Sequence, residues 1–288
     1  MTSRWRLRHA TTYTYARPVD MATHMLHLTP REMPGQKVLS ATIRSVPEAA
    51  RITTGTDHFG NVVSWLFLDR PHERFEVISE AEVESGFPPP PAAETTPPWE
   101  RVVAEAAGEV AEFLFESPLV PIVPAARAFA AQSFPPGRPV LEGLLEVMSR
   151  IRREFTYRPG VTGISTSVEH VMTTRAGVCQ DFSHAMISGL RGLGLPARYV
   201  SGYIRTYTPP GRVRMRGADQ SHAWVGAWMG PEHGWVDLDP TNDCVVSTEH
   251  VVLGWGRDFS DVSPLRGVIL GGGRHTLHVG VDLEPAES

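Results

Sequence analysis

The sequence predicts an α+β protein in which a helix carrying a cysteine packs on an antiparallel sheet, behind an N-terminal β-rich domain. Three observations predict it. The first 84 residues fall into short runs rich in β-branched and aromatic residues, as half-buried strands do. A proline-rich segment then interrupts the chain, from Phe87-Pro88-Pro89-Pro90-Pro91 to Pro97-Pro98. Beyond it the apolar spacing changes from two to about 3.6, and a helical stretch opening at Cys179 is followed by three strand-like runs.

In chain order, Tyr13 and Tyr15 among threonines, and residues 38–46, 62–68 and 75–83, read as strands. Asp57-His58-Phe59-Gly60-Asn61 reads as a hairpin turn before Val62. The proline segment can extend as polyproline II but cannot join a sheet or a helix interior, so it marks a boundary. The expected division is a β-rich unit over residues 1–90, a connector over 91–98, a core over 99–245 and C-terminal strands packing on the rest over 246–288. Val102, Val103, Ala106, Val110, Phe113 and Leu114 share one helical face, with Thr96 as N-cap, Pro97 at the first helical position and Ser117-Pro118 as the stop. Leu141, Leu144, Leu145, Met148, Ile151 and Phe155 predict a second helix. Residues 174–178 read as a loop. From Cys179, Phe182, Met186, Leu190 and Leu193 keep helical spacing until Gly192 and Gly194 end it. Residues 197–204, 223–229 and 235–238 then read as strands, as do 251–253 and 276–281 about a loop at Gly271-Gly272-Gly273.

Composition narrows the function class. With 41% hydrophobic and 20% charged residues the chain is globular, and a net charge of −5 gives no basic footprint for nucleic acid or anionic lipid. No window approaches 18 apolar residues, so no membrane span is expected. Residues 1–20 carry Arg4, Arg6, Arg8 and Arg17 without a continuous apolar stretch, which does not read as a secretory signal. A cytoplasmic protein with reduced thiols is the expectation. Lys37 is the single lysine among 27 basic residues.

The chemistry gathers around Cys179. Unpaired amides and the positive end of the dipole at a helix start favour thiolate over thiol. Downstream, His222 begins one strand, and Asp237 and Asp239 lie near the end of the next. A thiolate needs an imidazole partner, and that imidazole needs a carboxylate to fix its tautomer and orientation. Residues two apart on a strand point the same way, so parity does not choose between Asp237 and Asp239. Cys244 has no positive cluster nearby and reads as a buried, inert thiol, unpaired with Cys179. No metal is expected, because no Cys-x-x-Cys or His-x-x-x-His spacing occurs, and His24 and His27 lack a third ligand. The glycine run lacks the Lys-Ser/Thr ending of a phosphate loop. Asp181 and His184 read as structural, Asp219 as a solvated loop carboxylate, and Trp224, Trp228 and Trp235 as core.

Gly177-Val178-Cys179-Gln180-Asp181-Phe182-Ser183-His184, Gly194-Leu195-Pro196-Ala197-Arg198-Tyr199, Ser221-His222-Ala223-Trp224-Val225 and Gly234-Trp235-Val236-Asp237-Leu238-Asp239-Pro240-Thr241 together resemble the core of the transglutaminase-like superfamily. The Tyr-rich start, the 57–61 turn and the tail Gly256-Arg257-Asp258-Phe259-Ser260-Asp261 resemble its bacterial cysteine protease branch, with that branch's β-rich N-terminal region. The resemblance implies a fold related to papain-like proteases, with Cys179 as nucleophile, His222 as its histidine and Asp239 as its aspartate, leaving Asp237 a bystander. It implies a cofactor-free enzyme that forms a thioester from peptide or protein amides, with hydrolysis favoured over transamidation. The Cys179 amide is the first oxyanion donor, and Tyr157 and Gln220 are candidates for the second. Two alternatives are an inactive peptide-binding module and an acyl-transfer step in making a peptide-like metabolite. Substrate choice is expected to reside in loops such as 207–219.

Overall fold

A computed structural model describes residues 2–206 and 221–286. The first half builds five strands: β1 (Ser3–Leu26), β2 (Gln36–Val46), β3 (Arg51–Thr56), β4 (Val62–Leu68) and β5 (His72–Ser85). They pair in the order β2-β5-β1-β4-β3. Along β1 the alternation is regular, with Trp5, Leu7, His9 and Thr11 buried and Arg4 and Arg6 facing out. A register shift between Thr14 and Val19 lets this 24-residue strand pair with β5 along its first half and with β4 at its end. Strand β3 had no counterpart among the expected strands, because Arg-Ile-Thr-Thr-Gly-Thr lies at the sheet edge with little burial and so lacks an apolar alternation.

The proline segment runs across the back of the second sheet, where Phe87 and Pro88 to Pro91 line a groove of about 490 Å³ with Trp235 and Trp255. The helical part follows: α1 (Trp99–Glu105), α2 (Pro124–Ala131), α3 (Val140–Glu154), a two-residue strand β6 (Thr156–Tyr157), α4 (Val168–Thr174), its partner strand β7 (Ala176–Gly177), and α5 (Cys179–Gly192). The single helix expected across Val102 to Leu114 is divided. Helix α1 stops at Glu105, Gly108 turns into the left-handed region at φ +64°, and a 3-10 helix continues over Gly108–Leu114. Thr96 does not cap it. Its hydroxyl donates to the Ala93 carbonyl at 2.6 Å and accepts from the Leu141 amide at 3.2 Å, which ties the connector to α3. Helices α2 and α4 are too short for their apolar spacing to stand out between prolines and glycines, having eight and seven residues.

The second sheet contains β8 (Ala197–Ile204), β9 (Ser221–Trp228), β10 (Trp235–Asp239), β11 (Cys244–Val245) and β12 (His250–Gly256), antiparallel throughout and ordered β11-β10-β9-β8-β12. Helix α5 buries Phe182, Ala185, Met186 and Leu190 against Ala197, Tyr199, Ala223 and Val225 on one face of it. Val200, Trp224 and Val252 fill the other face, beside Met33 and Phe87. Helix and sheet together give the expected α+β core. The chain then returns to the first sheet, where β13 (Leu265–Gly271) and β14 (His275–Pro285) both pair antiparallel with β1.

The two sheets share a core of Trp5, Leu7, Val83, Tyr203, Val251 and Leu283. Polar side chains complete the contact at β12, the edge strand. Gln36 donates from Nε2 to the Val252 carbonyl at 2.8 Å and accepts from the Val252 amide at 2.7 Å. Asn61 does the same for Trp255, donating to its carbonyl at 2.7 Å and accepting from its amide at 2.9 Å. Two side-chain amides thus stand in for a neighbouring strand and satisfy an edge that would otherwise be open. Asn61→Ala leaves both Trp255 backbone groups unpaired in a partly buried place and should lower stability by about 1–3 kcal/mol in urea unfolding. A loss below about 0.5 kcal/mol, the usual scatter of surface changes, would refute that role.

Candidate active site

Helix α5 opens at Cys179 without a side-chain cap, since Val178 at the N-cap offers no acceptor. Asp181 reaches back instead. Its Oδ2 accepts from the Val178 amide at 2.8 Å and from Thr162 Oγ1 at 2.7 Å. The carboxyl is buried, and burial pushes its pKa up against these two bonds. Gly177 makes room, because a Cβ there would sit 2.6 Å from Asp181 Oδ2. Asp181 therefore serves the residue before the helix and leaves the amide of Cys179, at the first helical position, free to meet an external acceptor. The thiol of Cys179 is half-buried.

His222 sits at the start of β9 opposite Gly202 of β8, and Asp239 ends the next strand, β10. His222 Nε2 donates to Asp239 Oδ2 at 2.7 Å, which leaves Nδ1 as the ring nitrogen available to Cys179. The other lone pairs of Asp239 are also engaged. The amides of Thr241 and Asn242 donate to Oδ1 at 2.9 and 3.2 Å, and Asn242 Nδ2 donates to Oδ2 at 2.6 Å. His250 Nε2 lies 3.6 Å from the same Oδ2, an electrostatic distance and not a hydrogen bond. Burial opposes charge on His222, but the hydrogen bonds to Asp239 and Cys179 and the charges of both outweigh it and hold the imidazole well above its ordinary value. Burial likewise opposes charge on Asp239, and its bonds, that to His222 foremost, hold the carboxyl well below the usual carboxylate range.

Asp237 has different partners. Its Oδ1 lies 3.5 Å from Arg198 Nη2, and its Oδ2 accepts from Trp224 Nε1 at 3.3 Å. Arg198 in turn lies 3.9 Å from the ring centre of Trp255 and 4.4 Å from that of Trp235, and Arg31 covers Trp255 at 3.5 Å. The two aspartates that strand parity left equal are thus told apart by what they touch.

Cys179 and His222 open on a cleft of about 410 Å³, whose walls include Arg152, Tyr157, Ser221 and Asn242. Tyr157 is brought there by the short parallel pair of β6 and β7, in which it faces Gly177. Gln220, Asp219 and the 207–219 loop lie outside the described residues. Asn242, His250 and Arg152 did not emerge from the sequence as site residues. Asn242 follows Pro240-Thr241 directly and could have been found as an Asx-turn partner of Asp239, whereas His250 and Arg152 arrive from remote elements.

Cys244 differs from Cys179. Burial, with the carboxylates of Asp239, Asp243 and Glu249, pushes its thiol up to about 12. The donor atoms of Asp239, Cys244 and His250 lie within 4.8 Å of one another. The Asp239 carboxylate already accepts from four donors, which leaves it no lone pair for a cation. His24 and His27 part company, His24 stacking on Phe75 at 4.3 Å and His27 lying 3.3 Å from Asp57. His184 is buried, which lowers its pKa to about 4, and it accepts from the Phe259 amide at 3.3 Å, tying α5 to the tail.

Residues 5–84 match the model of the bacterial transglutaminase-like N-terminal region, and residues 127–240 match that of the transglutaminase-like superfamily. An uncharacterized protein of Mycobacterium tuberculosis is 40% identical over 295 aligned positions, covering 99% of this chain and 94% of the relative. A protein-glutamine gamma-glutamyltransferase of Pseudomonas aeruginosa is 34% identical over 122 positions, 41% of this chain and 18% of its own length. The crystal structure of a proposed cysteine protease from Cytophaga hutchinsonii superposes with a TM-score of 0.78 at 22% identity, covering 100% of this chain and 92% of that one.

Because the carboxylate of Asp239 is what keeps the buried His222 charged, nitrogen-detected NMR should find the imidazolium persisting above its ordinary midpoint of 6.5. Asp239→Asn should bring that midpoint down by at least about one pH unit, equivalent to about 1.4 kcal/mol. An unchanged midpoint would contradict the coupling. The sign for stability follows. A raised histidine contributes below its unfolded value and loses the contribution as pH climbs through the folded one, so this part of the stability should fade between about pH 6.5 and the folded midpoint.

Proposed function

We propose that this chain, which belongs to the transglutaminase-like superfamily, is a cysteine-dependent acyl-transfer enzyme acting on peptide or protein amide bonds, with Cys179 as nucleophile, His222 as proton carrier and Asp239 as the group that orients it. The observation that carries the reading is a buried histidine bonded at 2.7 Å to a fully buried carboxylate on one side and facing the thiol at a helix start on the other.

The steps follow from those positions. The Cys179 thiolate adds to the amide carbonyl carbon, and the oxyanion that forms meets the Cys179 amide at the positive end of α5. Tyr157, Ser221 and Asn242 bring further donors to the same cleft. The His222 imidazolium gives its proton to the leaving nitrogen, the C–N bond breaks, and a thioester remains with a neutral imidazole beside it. An incoming water then loses a proton to His222 as its oxygen attacks the thioester, and the C–S bond breaks to return the thiolate. An amine in place of water gives a new amide.

Hydrolysis is the favoured reading, in line with the proposed cysteine protease from Cytophaga hutchinsonii whose fold this chain shares. Transamidation is the second reading, supported by the Pseudomonas aeruginosa relative named a protein-glutamine gamma-glutamyltransferase. The reaction calls for no cofactor, and a reducing cytoplasm would keep both thiols free.

At pH 7 iodoacetamide should alkylate Cys179 at least roughly tenfold faster than Cys244, and His222→Ala should remove most of that advantage. Equal rates would sink the ion-pair reading. On a peptide-amide library, Cys179→Ala should lower turnover by about 10⁴-fold or more, while turnover that survives the change, or none in the parent, would favour a binding module. Mass spectrometry of products with and without added amines separates hydrolysis from transfer.

A further inference from the structure

One charged group in the cleft is not used by the chemistry above. Arg152, on α3, lines the same 410 Å³ cleft as Cys179 and His222. Of the other arginines around it, Arg150 pairs with Glu154 and the Phe129 carbonyl, Arg175 with Glu154, and Arg138 with Glu142 and Glu146, while Arg153 is not among the cleft's lining residues. Among the described residues, Arg152 has no carboxylate within ion-pair distance. The acidic side chain beside the cleft wall, Asp243, takes the Ser149 hydroxyl at 2.6 Å, one turn back along α3. Of the described lining residues, the others are neutral except for Cys179 and His222, whose charges are taken up by each other and by Asp239, so Arg152 is the lining cation without a direct partner among the described residues.

A guanidinium at a cleft wall with no carboxylate partner among the described residues offers a planar pair of donors that matches a carboxylate. We propose that the cleft takes an acyl substrate carrying a carboxylate close to the scissile carbonyl, an acidic peptide or amide, and that Arg152 is the residue that receives this carboxylate. The proposal deepens the acyl-transfer reading and rests on it. It does not rest on which acceptor, water or amine, completes the reaction.

The test uses the full chain and two small probes of nearly equal size, iodoacetamide and iodoacetate. In each the Cys179 sulfur forms the S–C bond and iodide leaves, so the two differ only in the charge brought into the cleft. The rate of iodoacetate over iodoacetamide at Cys179 should fall about fivefold in Arg152→Gln and be largely retained in Arg152→Lys, which keeps the charge. Turnover of a peptide-amide library should likewise favour members with Glu or Asp beside the scissile bond over their Gln or Asn counterparts, and Arg152→Gln should erase that preference. If Cys179 reacts fast with iodoacetamide but the ratio is the same in Arg152→Gln, the carboxylate proposal is overturned while the acyl-transfer reading stands. If Cys179 reacts no faster than Cys244 with iodoacetamide, both are overturned.

Discussion

The carboxylate of Asp239 has no exposure to water, and much of the core is arranged around keeping it charged. Taking an isolated carboxylate out of water costs several kcal/mol, and only full hydrogen bonding and a nearby cation offset it. The turn at Pro240 answers by folding two backbone amides and the Asn242 side chain onto the same group. The remaining donor is His222, whose own burial would otherwise leave it neutral. Each of the pair is thus charged because the other is. The proton on the imidazole is held by this mutual dependence, away from solvent, where two adjacent strands meet.

A second consequence falls on the uncapped start of α5. A Ser, Thr or Asp at position 178 would stabilise the helix by about 1 kcal/mol, yet it would draw the first-turn amides toward itself. Val178 forgoes that gain, and Asp181 and Gly177 hold the approach to the helix by another route. Stability given up at the helix end reappears as unspent donors beside the thiol. On the same strand as Asp239, Asp237 is committed to Arg198 and Trp224, which ties β10 to β8 and β9.

Much of this was legible in the residues, because the strongest signals are periodic. Cys179 at the head of an apolar stripe, and three strand-like runs after it, predict the helix and sheet that the structure contains. The choice between Asp237 and Asp239 was not legible from spacing, since both lie on one face and only the partners Arg198 and His222, from other strands, separate them. Elements decided by tertiary contact were also invisible. Edge strand β3 has almost nothing to bury, α1 is cut short by the left-handed Gly108, and Arg152 reaches the cleft from a helix whose stripe speaks only of its buried side.

The pairing of β1 with β13 and β14 has an implication for synthesis. Strand β1 leaves the ribosome long before these two neighbours are made. At about 5–20 residues per second the wait is on the order of tens of seconds, during which one edge of β1 has no mate. Contacts of such long sequence separation also close slowly. Strand β1 therefore waits for partners far downstream, and until they arrive the nascent chain presents a bare β edge open to a chaperone or another copy.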